Sequence, residues 1–154
     1  MLNAEHMRTL PQFFAHIPDP RRTNGRRHRL STVLAIAAGA VLCGMRGYKA
    51  ISDWANSLGA KARERFRCRR ENGRYVVPSE YVIRDVLIRV DPLHLDRALQ
   101  HWNETYAEQD QSLAIDGKTM CNAIDDQGHQ VHVLSVVGHQ SKNCYTQKKS
   151  VPCP

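Results

Sequence analysis

The pattern of apolar and polar positions changes character once along this chain, near residue 107. Before that point apolar residues recur at helical spacing, and the breaks between runs carry helix start and stop signals. "TLPQFFAHI", Thr9 to Ile17, predicts a short amphipathic helix with Thr9 as N-cap and Pro11 in its first turn. "VLAIAAGAVLCGM", Val33 to Met45, is the longest apolar run and predicts a buried helix within 31–45. Ala35, Ala38, Gly39 and Leu42 lie at helical spacing there, and their small size suits close packing against another helix. A second helix is expected near 48–58, with Gly59 as its stop. "AKARERFRCRRENGR", Ala60 to Arg74, is a basic amphipathic stretch ending at Asn-Gly. "PSEYVIRDVLIRVD" predicts a helix capped by Ser79, with Val82, Val86 and Val90 on one face and Ile83 and Leu87 beside them. Asp91-Pro92 then sets a cap and a first-turn proline for a helix over about 92–107.

After Glu108 the period shortens to two. "SLAIDG" and "VHVLSVVGH", Val131 to His139, read as strands, "NAIDDQGHQ" as a turn-rich connector, and "CYTQKK" as a third strand. The expected fold class is therefore α+β: a helical domain over 8–107, then the opening strands of a second domain over 108–154. Three strands without a covering helix bury little on at least one face, so a proteolytic core is expected to end near 107–112.

Charge sharpens this division. Residues 1–77 carry 15 Lys/Arg against 5 Asp/Glu, a net +10, while residues 78–154 carry 7 against 10, a net −3. A basic front half points to a polyanion partner, with a merely solvated basic face as the alternative. Five of the nine residues from Arg21 to Arg29 are arginine, in a loop whose prolines and Asn-Gly break any helix. A second cluster follows at Lys61, Arg63, Arg65, Arg67, Arg69, Arg70 and Arg74. The helix beginning at Ser79 is a candidate base reader through Tyr81, Arg84 or Arg89, or an ordinary packing helix.

Other classes recede. The five cysteines are odd in number and form no CxxC, which argues against a secreted disulfide framework. Cys121, His129, His132, His139 and Cys144 match no zinc-module spacing. The 13-residue apolar run is short of a membrane span and begins after too many arginines for a signal peptide, so no membrane partner is expected and the cytoplasm is the default. "GKT" at 117–119 ends like a phosphate loop, but Ser112 stands where that motif needs glycine. Asp116, at the end of the apolar stretch in "LAIDGKT", is then either a carboxylate placed for a divalent metal or a cap on the following turn.

The segment Phe13 to Ala55, the helix "PSEYVIRDVL" and the strand "AIDGKT" followed by "HVLSVVGHQ" resemble, in this order, the N-terminal portion of the H-repeat-associated, Rhs-linked insertion-sequence transposases. The likeness covers roughly residues 10–150. It implies a bacterial DDE enzyme that cuts and joins element DNA with Mg²⁺ or Mn²⁺, built as a helical DNA-binding-type domain followed by an RNase H-like catalytic domain. Asp116 falls where the family has its first catalytic, metal-binding aspartate on the first strand. Gly117 would make a turn, and Lys118 would touch the DNA backbone. The family's second aspartate and its glutamate would lie past Pro154, and Asp125 and Asp126 follow too soon to replace them. The resemblance therefore implies a truncated, inactive copy that binds no metal, or a non-catalytic module that occupies element ends or pairs with an intact transposase or with itself. The expected DNA contacts are Arg21, Arg22, Arg26, Arg27, Arg29, Arg67, Arg69, Arg70 and Lys118.

Overall fold

A computed structural model describes residues 4–106, 113–138 and 144–150. The expected inter-domain segment 107–112, His139 and the tail from Val151, Cys153 included, lie outside the described residues. The chain forms two compact units, within 2–98 and 99–154, of mixed helix and strand. The division falls inside a helix, earlier than the pattern change near 107.

The first unit is built around α3, Leu30–Leu42, after the short helices α1 (Ala4–Met7) and α2 (Leu10–Phe13). Leu30, Thr32–Ala37, Gly39 and Ala40 are buried, as expected for an apolar helix, but Val41 and Leu42 at its last turn are exposed, so the burial expected as far as Met45 stops at Ala40. It packs against α2, α4 (Tyr48–Ser57) and α6 (Glu80–Arg89), with Leu10, Phe14, Ile83 and Val86 filling the space between. The small residue at 39 admits side chains instead of the helix backbone expected there. A Cβ on Gly39 would lie 3.1 Å from Phe66 Cζ, 3.2 Å from Trp54 Cη2 and 3.3 Å from Met7 Cε. Trp54 and Phe66 meet edge to face at 6.0 Å.

Local chemistry sets most boundaries, with corrections to the sequence reading. Ser79 caps α6 by accepting a bond from Val82 N–H. Thr9 precedes α2 but makes no cap; its hydroxyl donates to His6 O instead. Gly59 opens α5 (Ala60–Arg65) rather than closing α4. The stretch after α5 is not continuous helix. It is a hairpin of β1 (Arg69–Glu71) and β2 (Arg74–Val76), turned by Asn72 and Gly73, both at positive φ, the signature of a tight hairpin turn. Two helices end in the same Schellman closure. After α3, Gly44 N–H donates to Val41 O and Met45 N–H to Ala40 O. After α5, Arg67 N–H donates to Glu64 O and Cys68 N–H to Arg63 O. Gly44 holds the left-handed position in the first at φ 84°, Arg67 in the second at φ 57°.

The helix α7, Pro92–Tyr106, carries the chain into the second unit. There β3 (Leu113–Ile124), β4 (Gln130–Gly138) and β5 (Cys144–Ser150) form an antiparallel meander in that order. Asn103 Nδ2 donates to Cys144 O at 2.8 Å, tying the end of α7 to β5, and Trp102 is buried. The strand β3 is longer than expected and absorbs part of the connector. Gly117 therefore sits mid-strand and makes no turn. The turn comes at Asp125–His129, where Asp125 Oδ1 accepts from the N–H groups of Gln127 and His129 and Gly128 takes φ 83°. No helix among the described residues is long and apolar enough to cross a membrane.

Candidate nucleic-acid interface

The loop between α2 and α3 is organised by the arginine the sequence offered first as a DNA contact. Arg21 is 4% exposed. Its Nε and one terminal nitrogen hold both oxygens of Asp19, at 3.0 and 2.8 Å. The terminal nitrogens also donate to the carbonyls of Gly25 and His28. A guanidinium so engaged has no edge left for phosphate, so Arg21 leaves the contact list and becomes the residue that shapes the loop. Burial tends to raise the Asp19 pKa, but the Arg21 bonds outweigh it and hold the carboxyl below its ordinary value. Arg26 is half-committed, donating to Arg21 O and Asp19 O. Arg22, Arg27 and Arg29 point outward, exposed.

The outward arginines meet the second cluster. Arg27 and Arg29 from the loop and Arg67, Arg69 and Arg70 from the α5–β1 segment line one open cleft of about 480 Å³. Three contacts place the second group. Thr32 Oγ1, buried on α3, donates to Arg67 O at 3.1 Å. Arg63 clamps the region, donating to the carbonyls of Leu58, Asn56 and Tyr75. Arg70 lies 5.3 Å over the Tyr75 ring across the hairpin. The opposing charges are few. Glu64 lines the cleft and accepts the Tyr75 hydroxyl, and Glu71 pairs with Arg69 at 2.7 Å. Beside this, His28 is buried; burial first, then Arg69 and Arg21, push its pKa down, so it stays neutral.

On the loop's other flank, Arg22 and Asn24 share a second cleft, of about 560 Å³, with Tyr81, Asp85 and Arg89 of α6. Those three occupy one outer stripe of the helix, at i, i+4 and i+8. Tyr81 is 72% exposed, and Arg89 Nε pairs with Asp85 Oδ1 at 2.8 Å.

The sheet unit holds the remaining candidates. Register pairs Asp116 with Ser135, and Ser135 with Gln147, on one face. Ala114 and Lys118 flank Asp116 on that face. Val133 and Lys149 lie across from Lys118. Asp116 and Lys118 are exposed. Among the described residues no group of three His, Cys, Asp or Glu side chains stands close enough to hold a metal ion. One carboxylate with two lysines on its face does not fit a pair of divalent ions, which need several oxygen ligands. Asp125, the nearest candidate in sequence, is committed to its turn; the His129 N–H bond first among its partners lowers its pKa.

The DDE_Tnp_1-associated family model matches residues 11–103. The chain belongs to this family. The family is linked to DDE-type transposases, and the matched span contains both clefts whole, from Arg21 to Arg89, while Asp116 lies outside it. An uncharacterized protein in the dhlA 3′ region of Xanthobacter autotrophicus is 29% identical over 142 residues, 89% of this chain and 46% of that protein. The chain thus spans about half the length of that curated relative. No solved structure matches. Within this DDE_Tnp_1-associated domain, sequence reasoning missed Asp19 and Tyr75, and it counted Arg63 among the basic cluster where the fold uses it to clamp backbone carbonyls. The second Asn-Gly was the available signal for Tyr75, because a two-residue turn there sets Tyr75 opposite Arg70.

Proposed function

We propose that the helical unit binds duplex DNA by its phosphate backbone, as the DNA-holding part of a DDE-type insertion-sequence transposase of the H-repeat-associated kind. One observation carries this: five arginines from two distant chain segments converge on one cleft with a single lining carboxylate, Glu64. Separate solvated clusters would have no reason to converge, and guanidinium groups suit phosphate oxygens geometrically as well as by charge. The antiparallel order β3-β4-β5 with Asp116 on the first strand supports reading the sheet as the start of an RNase H-like domain. Strand cleavage with Mg²⁺ or Mn²⁺ would need further carboxylates beside Asp116, so no catalytic step is assigned to this chain's residues. A second reading, carried by the arginine clefts of the helical unit, is a module that occupies element ends or joins an intact transposase or another copy of itself.

The test is binding of the 154-residue chain to unselected duplex DNA across a salt series. Affinity should fall steeply with salt, and replacing Arg27 and Arg29 together by alanine should lower the log–log slope by about 2. Salt-independent binding, or no binding at low salt, would reject the proposal.

A further inference from the structure

We infer that the outer stripe of α6 reads a guanine in the major groove through Arg89, with Asp85 as the residue that positions it. The inference rests on the DNA-binding reading above and adds a base-specific site to a backbone-binding one.

The helix is amphipathic in an unusual way. Its inner face, Ile83 and Val86, is buried against the core, as a packing helix requires. Its outer face is not simply charged. It exposes Tyr81 and Ile88 between Arg84, Asp85 and Arg89. Tyr81 at 72% and Ile88 at 58% exposure give this face contact area beside its arginines. Its partner is chosen by charge and continuity. Arg22 and Asn24 of the arginine loop lie across the cleft from this stripe, and the same loop continues into the other cleft through Arg27 and Arg29. A duplex held by the loop's outward arginines would therefore meet α6 next. An α-helix is the element that fits the major groove.

The Arg89–Asp85 pair specifies what is read. Asp85 engages Arg89 through Nε. The two terminal nitrogens, at the far end of the guanidinium, have no partner among the described residues. That end is the one that donates two parallel bonds to O6 and N7 of guanine. A free arginine would lose side-chain freedom on making those bonds; one already oriented by a carboxylate one helical turn away loses less.

The experiment is selection from a random duplex library with the full chain, repeated with Arg89→Lys and Asp85→Asn, each checked for folding by circular dichroism. The wild type should enrich a motif with a fixed guanine. Arg89→Lys keeps the charge but not the fork, so the ratio of selected to unselected affinity should fall about tenfold. Asp85→Asn should bind unselected duplex more tightly, having lost a negative charge, yet show the same kind of fall in the ratio. A residue acting only by bulk charge would shift both affinities together, and that result overturns the inference. So does a wild type that binds duplex but enriches no guanine, which would assign the face to a protein partner. A wild type that binds no duplex at low salt rejects the DNA reading as well, and so separates the two failures.

Discussion

The two units bury their large apolar residues to different extents. In the helical unit Leu10, Phe14, Leu34, Ile36 and Ile83 are sealed inside, and the outward surface around the clefts is arginine-rich. In the sheet unit Ile115, Ile124 and Leu134 are exposed, and so is Asp116. A helix bundle meets its own need for burial, because each apolar stripe finds another. A three-stranded meander offers two faces, and among the described residues each keeps an exposed side chain, Ile115 on one and Asp116 on the other, while α7 meets β5 through Asn103. What differs is how much of each unit's architecture is self-sufficient, which explains why the clefts are well formed while the face around Asp116 is only a surface.

Core truncation should separate the units most sharply. Ile83→Ala should cost about 2–5 kcal/mol, while Ile115→Ala, at a side chain 70% exposed, should stay within about 0.5 kcal/mol. Urea unfolding of both variants measures this, and equal losses would mean the sheet's faces are covered in solution. Within the helical unit, arginines should divide by burial. Arg21→Ala removes the guanidinium that holds Asp19 and two carbonyls and should cost about 3 kcal/mol. Arg70→Ala should leave the melting temperature nearly in place yet weaken duplex binding. A melt paired with a binding titration on each variant reverses the interpretation if Arg70 proves the more destabilising.

A smaller effect should come from pH. The His28 pKa is lowered in the fold, so the unfolded chain binds the proton more readily. The contribution is fully present above the ordinary histidine value of about 6.5 and is lost as pH falls below it. Denaturation between pH 5 and 8 should show stability falling on the acid side, with a flatter profile in His28→Gln.

The helices were legible in sequence because their signals are local: Ser79 before an apolar run, Pro92 after Asp91, an all-apolar stretch for α3. The arginine clusters were legible as composition, but their convergence was not. It depends on a buried threonine bonding Arg67 O and on Arg21 turning inward, both set by partners far from view in a linear pattern. Arg21 misled for a physical reason, since an arginine beside Asp19 looks the same whether it faces water or closes a loop. For Asp116 the alternation with Ala114 and Ile115 was readable and the register agrees, whereas the turn assigned to Gly117 failed because strand pairing continued past it.

The two Schellman closures differ by one residue, and the difference sets up a conflict for anyone improving this protein. Gly44 accepts its left-handed backbone without penalty; Arg67 does not, and a side chain there costs roughly 0.5–1 kcal/mol. Arg67→Gly should therefore raise thermal resistance slightly while removing one cation from the cleft, measurable as a higher melting temperature beside a shallower salt slope. A variant library screened for heat tolerance alone would drift toward glycine at that position and shed one cation from the cleft proposed to hold duplex DNA. Screening for both at once would hold arginine in place, with the backbone of a helix end acting as the hidden variable in the trade.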